Sequence, residues 1–114
     1  MSFFESEVVR SEIAEISNLQ EQIYQSVFKF PTMGKKEKIT HVNLLRRLLD
    51  KQQILYTRLC LSDDPEAIQM KNRIIESAKL MGLPSNVDIK ILFSNMSRLI
   101  ETMRKQIDKA DADL

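Results

Sequence analysis

Residues 35–61, KKEKITHVNLLRRLLDKQQILYTRLCL, decide the fold of this chain, because their apolar side chains recur at alternating three- and four-residue steps. Val42, Leu45, Leu49, Tyr56 and Leu59 fall on one seam, with Gln52 at the missing step, and Leu44, Leu48 and Leu55 widen the seam on one side. The spacing predicts one long helix whose apolar face receives the other helices, with Leu45, Leu49 and Leu59 as deep core. Arg46, Arg47, Lys51 and Arg58 fall mainly on the outer side, and Lys35, Lys36 and Lys38 add positive charge at the start.

Upstream, Val9, Ile13, Ile16, Ile23, Val27 and Phe30 form a second seam, with Gln20 in its gap and Leu19 beside it. Ser2 and Glu5 have capping-box spacing, and Glu5 and Glu7 suit the positive end of a helix. A helix over 4–29 follows, stopped by Pro31, which pushes the residue before it out of helical dihedrals. PTMGKK, with its proline and glycine, reads as a turn in which Thr32 or Met33 leads into the long helix. So short a turn makes the two helices an antiparallel hairpin, each roughly 37 Å long at 1.5 Å per residue.

Downstream, SDDPEA supplies Asp64 as an N-cap and Pro65 at the first helical position, where the missing N–H costs nothing. A third helix over 65–81 carries a narrower stripe of Ala67, Ile68, Ile74, Ile75, Ala78 and Met81, with Gly82 placed as a left-handed cap. LPSN turns the chain again, Ser85 and Asp88 repeat the capping-box spacing, and Ile89, Leu92, Met96, Leu99, Met103 and Ile107 define a fourth helix over 87–109. The acidic tail, 109–114, lacks large apolar groups and is expected to fray. The fold class is therefore all-α: a single domain over 1–114, a four-helix assembly built on a long antiparallel helical hairpin. Because the third helix is much shorter than the hairpin, a regular bundle leaves apolar surface that needs a second copy or another protein.

Composition limits the chemistry. A chain of 114 residues buries roughly two thirds of its unfolded surface, enough for a core without staples. One cysteine, Cys60, excludes an intrachain disulfide, and one histidine with no Cys/His cluster speaks against zinc and for a reducing compartment. The acidic N-terminus does not resemble a secretory signal, and no apolar run approaches the roughly 20 residues of a membrane span, so a soluble cytoplasmic protein is expected. No Gly-rich phosphate loop, Ser/His/Asp set or paired inward carboxylates can be placed; a non-enzyme without cofactor, catalytic residues or metal site is the reading. His41, at the edge of the seam, reads as a packed or surface residue. Cys60 reads as a small apolar thiol packed at the helix end, and Met70, Met81, Met96 and Met103 read as core filler rather than an adaptable binding surface.

The formal net charge of +1 hides an asymmetry: residues 2–24 carry five Glu and one Arg, whereas residues 35–61 carry seven Lys or Arg against Glu37 and Asp50. The plainer reading is attraction between neighbouring helices plus solvated faces. A nucleic-acid-binding module on the face of Lys38, Arg46, Arg47, Lys51 and Arg58 is the alternative function, weakened by low net charge and by the lack of interleaved stacking aromatics. The leading function is protein–protein interaction, as an adaptor or regulator. Its candidate partner-binding residues are Val27, Phe28, Phe30, Met33, Lys35 and Lys36, which gather aromatics and lysines beside the proline-glycine turn. Phe3 and Phe4 compete from the opposite end, since two adjacent phenylalanines are not expected to face one core stripe. The plainer reading is that these aromatics close the ends of the assembly. A homodimer is left open, and no membrane partner is expected.

MSFFESEVV at the start, RRLLDKQQILYTRLCLSDDPEA in the middle and NMSRLIETMRKQI towards the end resemble the family of unknown function numbered 1825, found in cyanobacteria and their phages. The likeness covers most of the chain and is closer to the phage-encoded members through the PTMGKK turn and the LMGLPSNVD junction. The resemblance implies a small cytoplasmic helical protein with no catalytic motif to carry over. It points to an accessory factor that binds a host or viral assembly.

Overall fold

Where the seams and caps place helices, helices form. The structure, a computed structural model, describes residues 3–80 and 88–112. It comprises a 3-10 turn at Phe3–Glu5, helix α1 (Glu7–Val27), a 3-10 turn at Phe30–Thr32, and helices α2 (Lys35–Leu61), α3 (Pro65–Leu80) and α4 (Ile89–Ala112), with no strand among the described residues. The cap and turn positions assigned to Ser2, Gly82, the LPSN turn and Ser85, and the stripe position of Met81, lie outside the described residues.

The other three helices pack on α2. Val42 and Leu59 are fully enclosed, and Leu49, Leu55 and Tyr56 are buried, each large apolar side chain contributing roughly 1.5–3 kcal/mol by leaving water. On one flank α1 runs antiparallel to α2, as the pairs Glu12–Arg58, Glu15–Lys51 and Ser26–His41 show in sequence. On the other flank α4 also runs antiparallel to α2: Phe93 meets Tyr56, Ser97 meets Arg46, and Arg104 reaches Asn43. The two flanking helices are thus parallel to each other, lie on opposite sides of α2 and share no core cluster. They make a layer rather than a ring.

Helix α3 starts as its cap signals predict. The Asp64 carboxylate accepts the Glu66 N–H at 2.9 Å through Oδ1, and through Oδ2 it accepts the Phe3 N–H, tying the chain start to the α3 N-terminus. Ala67 and Ala78 are buried, and such small side chains let one helix approach another closely. Ala78 shares a cluster with Tyr56 and Ile89, within two turns of the end of α2. A helix running straight back along α2 would carry it much further, level with Leu48 at equal rise per residue. Helix α3 therefore crosses one end of the layer, while Phe30 packs on the same face of α2 towards its other end, against Val42, Leu49 and the buried His41.

Several sequence expectations need correction. The predicted start of α1 is a separate 3-10 turn with Ser6 extended behind it, because the Phe3 N–H is drawn to Asp64. That turn lets both phenylalanines pack on the cluster of Val9, Ile16 and Leu55, their rings nearly perpendicular at 5.1 Å. Gly34, not Thr32 or Met33, precedes α2. Leu45 is only half-buried, because α3 does not reach it. Cys60 is exposed, one 100° step past the inward Leu59. Helix α4 spans Ile89–Ala112, starting two residues later and ending three later than its spacing predicts.

Leu49→Ala should cost about 2–5 kcal/mol through lost transfer energy and a residual cavity, whereas Leu45→Ala, already half-solvated, should cost about 1–2 kcal/mol. Urea unfolding followed by circular dichroism would check both, and equal losses would show that α3 covers Leu45 after all.

Candidate partner-docking face

Beside α3 the layer forms a trough with α2 as its floor. An apolar cavity of about 580 Å³ lies where α3 meets the layer. Leu55, Tyr56 and Leu59 line its floor, Ile16 and Gln20 one wall, Leu92, Phe93 and Met96 the other, and Met70, Arg73 and Ser77 of α3 its end. Tyr24 stands one turn beyond Gln20 on the same side of α1 and is 74% exposed; Leu99 follows Met96 on α4 and is 61% exposed. Gln20 and Gln52, which interrupt the apolar seams of α1 and α2, both line this cavity. Of the methionines, Met103 packs on the core cluster as filler, whereas Met70 and Met96 line the cavity.

The residues proposed around the first turn are not assembled into one patch. Phe30 folds inward onto the cluster of Val42, Leu49 and Ile100, its ring 5.2 Å from His41 and under the Lys38 ammonium at 5.5 Å. Phe28 is 90% exposed, and Val27 is partly exposed on the trough side of α1, one turn beyond Tyr24. Met33 is half-buried and, with Lys36, lines a separate shallow depression between α1 and α2 that also includes Lys29, Glu37 and His41. Lys35, the first residue of α2, is exposed.

Most of the basic face of α2 is occupied within the fold. Lys51 Nζ meets Glu15 at 2.5 Å, and Arg58 Nε donates to Glu12 Oε1 at 3.0 Å. Arg46 donates to Ser97 at 2.8 Å and stands 3.8 Å from both Asp50 and Glu101. Lys38 sits over Phe30, which leaves Arg47 exposed. The Lys51 ammonium, donating to Glu15 and attracting it, holds that carboxyl below its ordinary value. The other Glu12 oxygen, Oε2, is buried with no hydrogen-bond partner among the described residues, and of these Arg58 is the cation that balances that carboxylate.

Two buried titratable groups stay neutral. His41, 4% exposed, has its Nδ1 at 3.0 Å from the Ser26 hydroxyl, and burial lowers its pKa below 6.5. Burial first, then the neighbouring Cys60 thiol and the Asp88 carboxylate, push the Tyr56 phenol up to about 12. Among the described residues no three His, Cys, Asp or Glu side chains gather as a metal site would require, and no helix is long and apolar enough to cross a membrane.

Fold and site together define a small all-α protein with a half-covered three-helix layer and an open apolar trough. The chain belongs to the family described as Domain of unknown function (DUF1825), whose sequence profile matches residues 1–107. No curated protein and no solved structure matches it.

The lowered pKa of His41 fixes the sign of a pH effect. The unfolded chain binds a proton at His41 near pH 6.5 and the folded chain does not, so this contribution is complete above that pH and declines as pH falls through it. Unfolding free energy should therefore drop between about pH 7.5 and about pH 5.5, and His41→Gln should flatten that slope. The Glu15 contribution is lost only at lower pH, below 4.5, and leaves this window untouched. Separately, Arg58→Ala should destabilise more than Lys51→Ala in urea titrations, because it strands a more deeply buried carboxylate; equal losses would show that Glu12 is solvated.

Proposed function

We propose that this protein acts by binding rather than catalysis, and that its trough between α1 and α4 docks a segment of a partner protein. One observation carries the reading: the cavity of about 580 Å³ is lined mainly by apolar side chains, and Tyr24 and Leu99, one helical turn from its lining residues Gln20 and Met96, are exposed. Folded chains seldom leave such apolar surface without a use, and protein hot spots favour aromatic anchors in pockets of this kind. An adaptor or accessory role, in the cytoplasm and in a cyanobacterial or phage setting, belongs to the same proposal and rests on the family resemblance. The alternative, nucleic acid on the basic face of α2, is supported by exposed Arg47, but Lys51, Arg58 and Arg46 already pair with α1 and α4.

Affinity capture with the full chain, from extract of its source cells, separates the two. A protein partner should stay bound as salt rises from about 50 mM to about 200 mM, whereas phosphate-driven binding falls steeply over that range. Retention should be lost in Tyr24→Glu/Leu99→Glu and kept in Arg47→Glu. Recovery of salt-sensitive nucleic acid that disappears with Arg47→Glu would overturn the docking reading.

A further inference from the structure

We propose that His41 is a proton-operated latch on the first turn: neutral, it holds Phe30 and Ser26 in place, and protonated, it turns out towards Glu37 and frees Phe30. The proposal is independent of the docking reading, whose cavity lies towards the other end of α2.

Neutral His41 joins three parts of the fold. It stands on α2, its Nδ1 is 3.0 Å from the Ser26 hydroxyl of α1, and its ring lies 5.2 Å from that of Phe30, which continues onto the cluster of Val42, Leu49 and Ile100. The side chain is buried, and Ser26 is its one hydrogen-bond partner among the described residues. An imidazolium has two N–H groups to satisfy and a charge to balance, and in that place no carboxylate bonds it. The charged side chains around it are mostly of its own sign: Lys29 after α1, Lys36 and Lys38 on α2, and Arg104 of α4, which donates to Asn43. Gln22, Gln25 and Ser26 on α1, and Met103 and Ile107 on α4, carry no charge. Among the described residues Glu37 is the only acid lining the same depression as His41, one helical turn before it. An acid four residues before a cation is the favourable order on a helix, so a charged ring that leaves its buried place has a carboxylate within reach.

The turn can yield while the helices stay folded. Its backbone bonds are all short-range, from the Lys29 N–H to Ser26, the Thr32 N–H to Lys29 and the Met33 N–H to Phe30. Phe30 supplies its tie to the core, with the Lys38 ammonium 5.5 Å from the ring centre. Gly34, between the turn and α2, is extended and has open space where a side chain would stand, so the chain pivots there without a clash. Once released, Phe30 comes to the surface near exposed Phe28 and half-buried Met33. The aromatic patch that the neutral protein lacks at this turn thus forms when His41 is charged.

The test is a pH titration of the full, untagged chain by nuclear magnetic resonance. His41 is the only histidine, so its ring signal reports its own protonation. The Phe30 ring signal, in chain labelled with carbon-13 phenylalanine, is identified by its loss in Phe30→Leu. Between about pH 7.5 and about pH 5 it should move towards the position of exposed phenylalanine with the same midpoint as His41, while far-ultraviolet circular dichroism keeps its neutral-pH value. Glu37→Gln should shift the ratio of released to latched protein about twofold towards latched. In His41→Gln the Phe30 signal should hold one position across the range. A Phe30 signal that stays put while His41 titrates overturns the latch, as does one that moves equally in His41→Gln. Loss of helix signal at the same midpoint also overturns it, because the proton then unfolds the whole chain. Should His41→Gln fail to fold, Ser26→Ala decides: it removes one tie on the neutral ring, so both midpoints should rise together, and a raised His41 midpoint with Phe30 unmoved overturns the proposal.

Discussion

Everything in this fold depends on one helix burying side chains over an arc wide enough to serve several neighbours. Leu55 turns towards the α1 cluster, Val42 and Leu49 towards the α4 cluster, and Tyr56 and Leu59 towards the end that α3 covers. Successive residues rotate by 100°, so a seam widened by Leu44, Leu48 and Leu55 can serve neighbours on both flanks. Those neighbours need not touch. The absence of a core cluster shared by α1 and α4 makes the assembly a layer, and a layer has a face to be covered.

Charge closes the flanks that apolar contact begins. Acids on α1 meet Lys51 and Arg58, and Glu101 on α4 approaches Arg46, so the helix that looks basic in isolation is largely neutralised by its neighbours. Exposed pairs of this kind contribute little each. Glu12 differs, because among the described residues its buried carboxylate depends on a single arginine.

A half-covered face follows from where α3 can lie. Asp64 caps its first turn and simultaneously holds the Phe3 N–H, which fixes its start beside the N-terminal turn. Ala67 and Ala78 allow it to approach closely, and it crosses to the α4 side near Tyr56 and Ile89. Sixteen residues placed across the layer, rather than along it, cannot cover twenty-seven. Tyr24, Met96 and Leu99 remain in contact with water for that reason.

By itself the sequence determined the helices and some of their ends: the seam of α2, the stop before Pro31, the Asp64–Pro65 start of α3 and the antiparallel hairpin are local consequences of periodicity, capping and turn length. It also held a trace of the trough, since Gln20 and Gln52 stand where each seam should be apolar, and both line the cavity. Tertiary structure alone decided which aromatics face inward. Phe30 reaches the core while Phe28, two residues earlier, points to solvent, because the 3-10 turn rotates the chain in a way helical spacing does not encode. It alone decided that Leu45 stays half-exposed and that Arg73 borders the cavity. Those outcomes depend on the crossing of α3 over α2, set by the fit of small and large side chains from distant parts of the chain, whereas a seam records only which residues share one face of one helix.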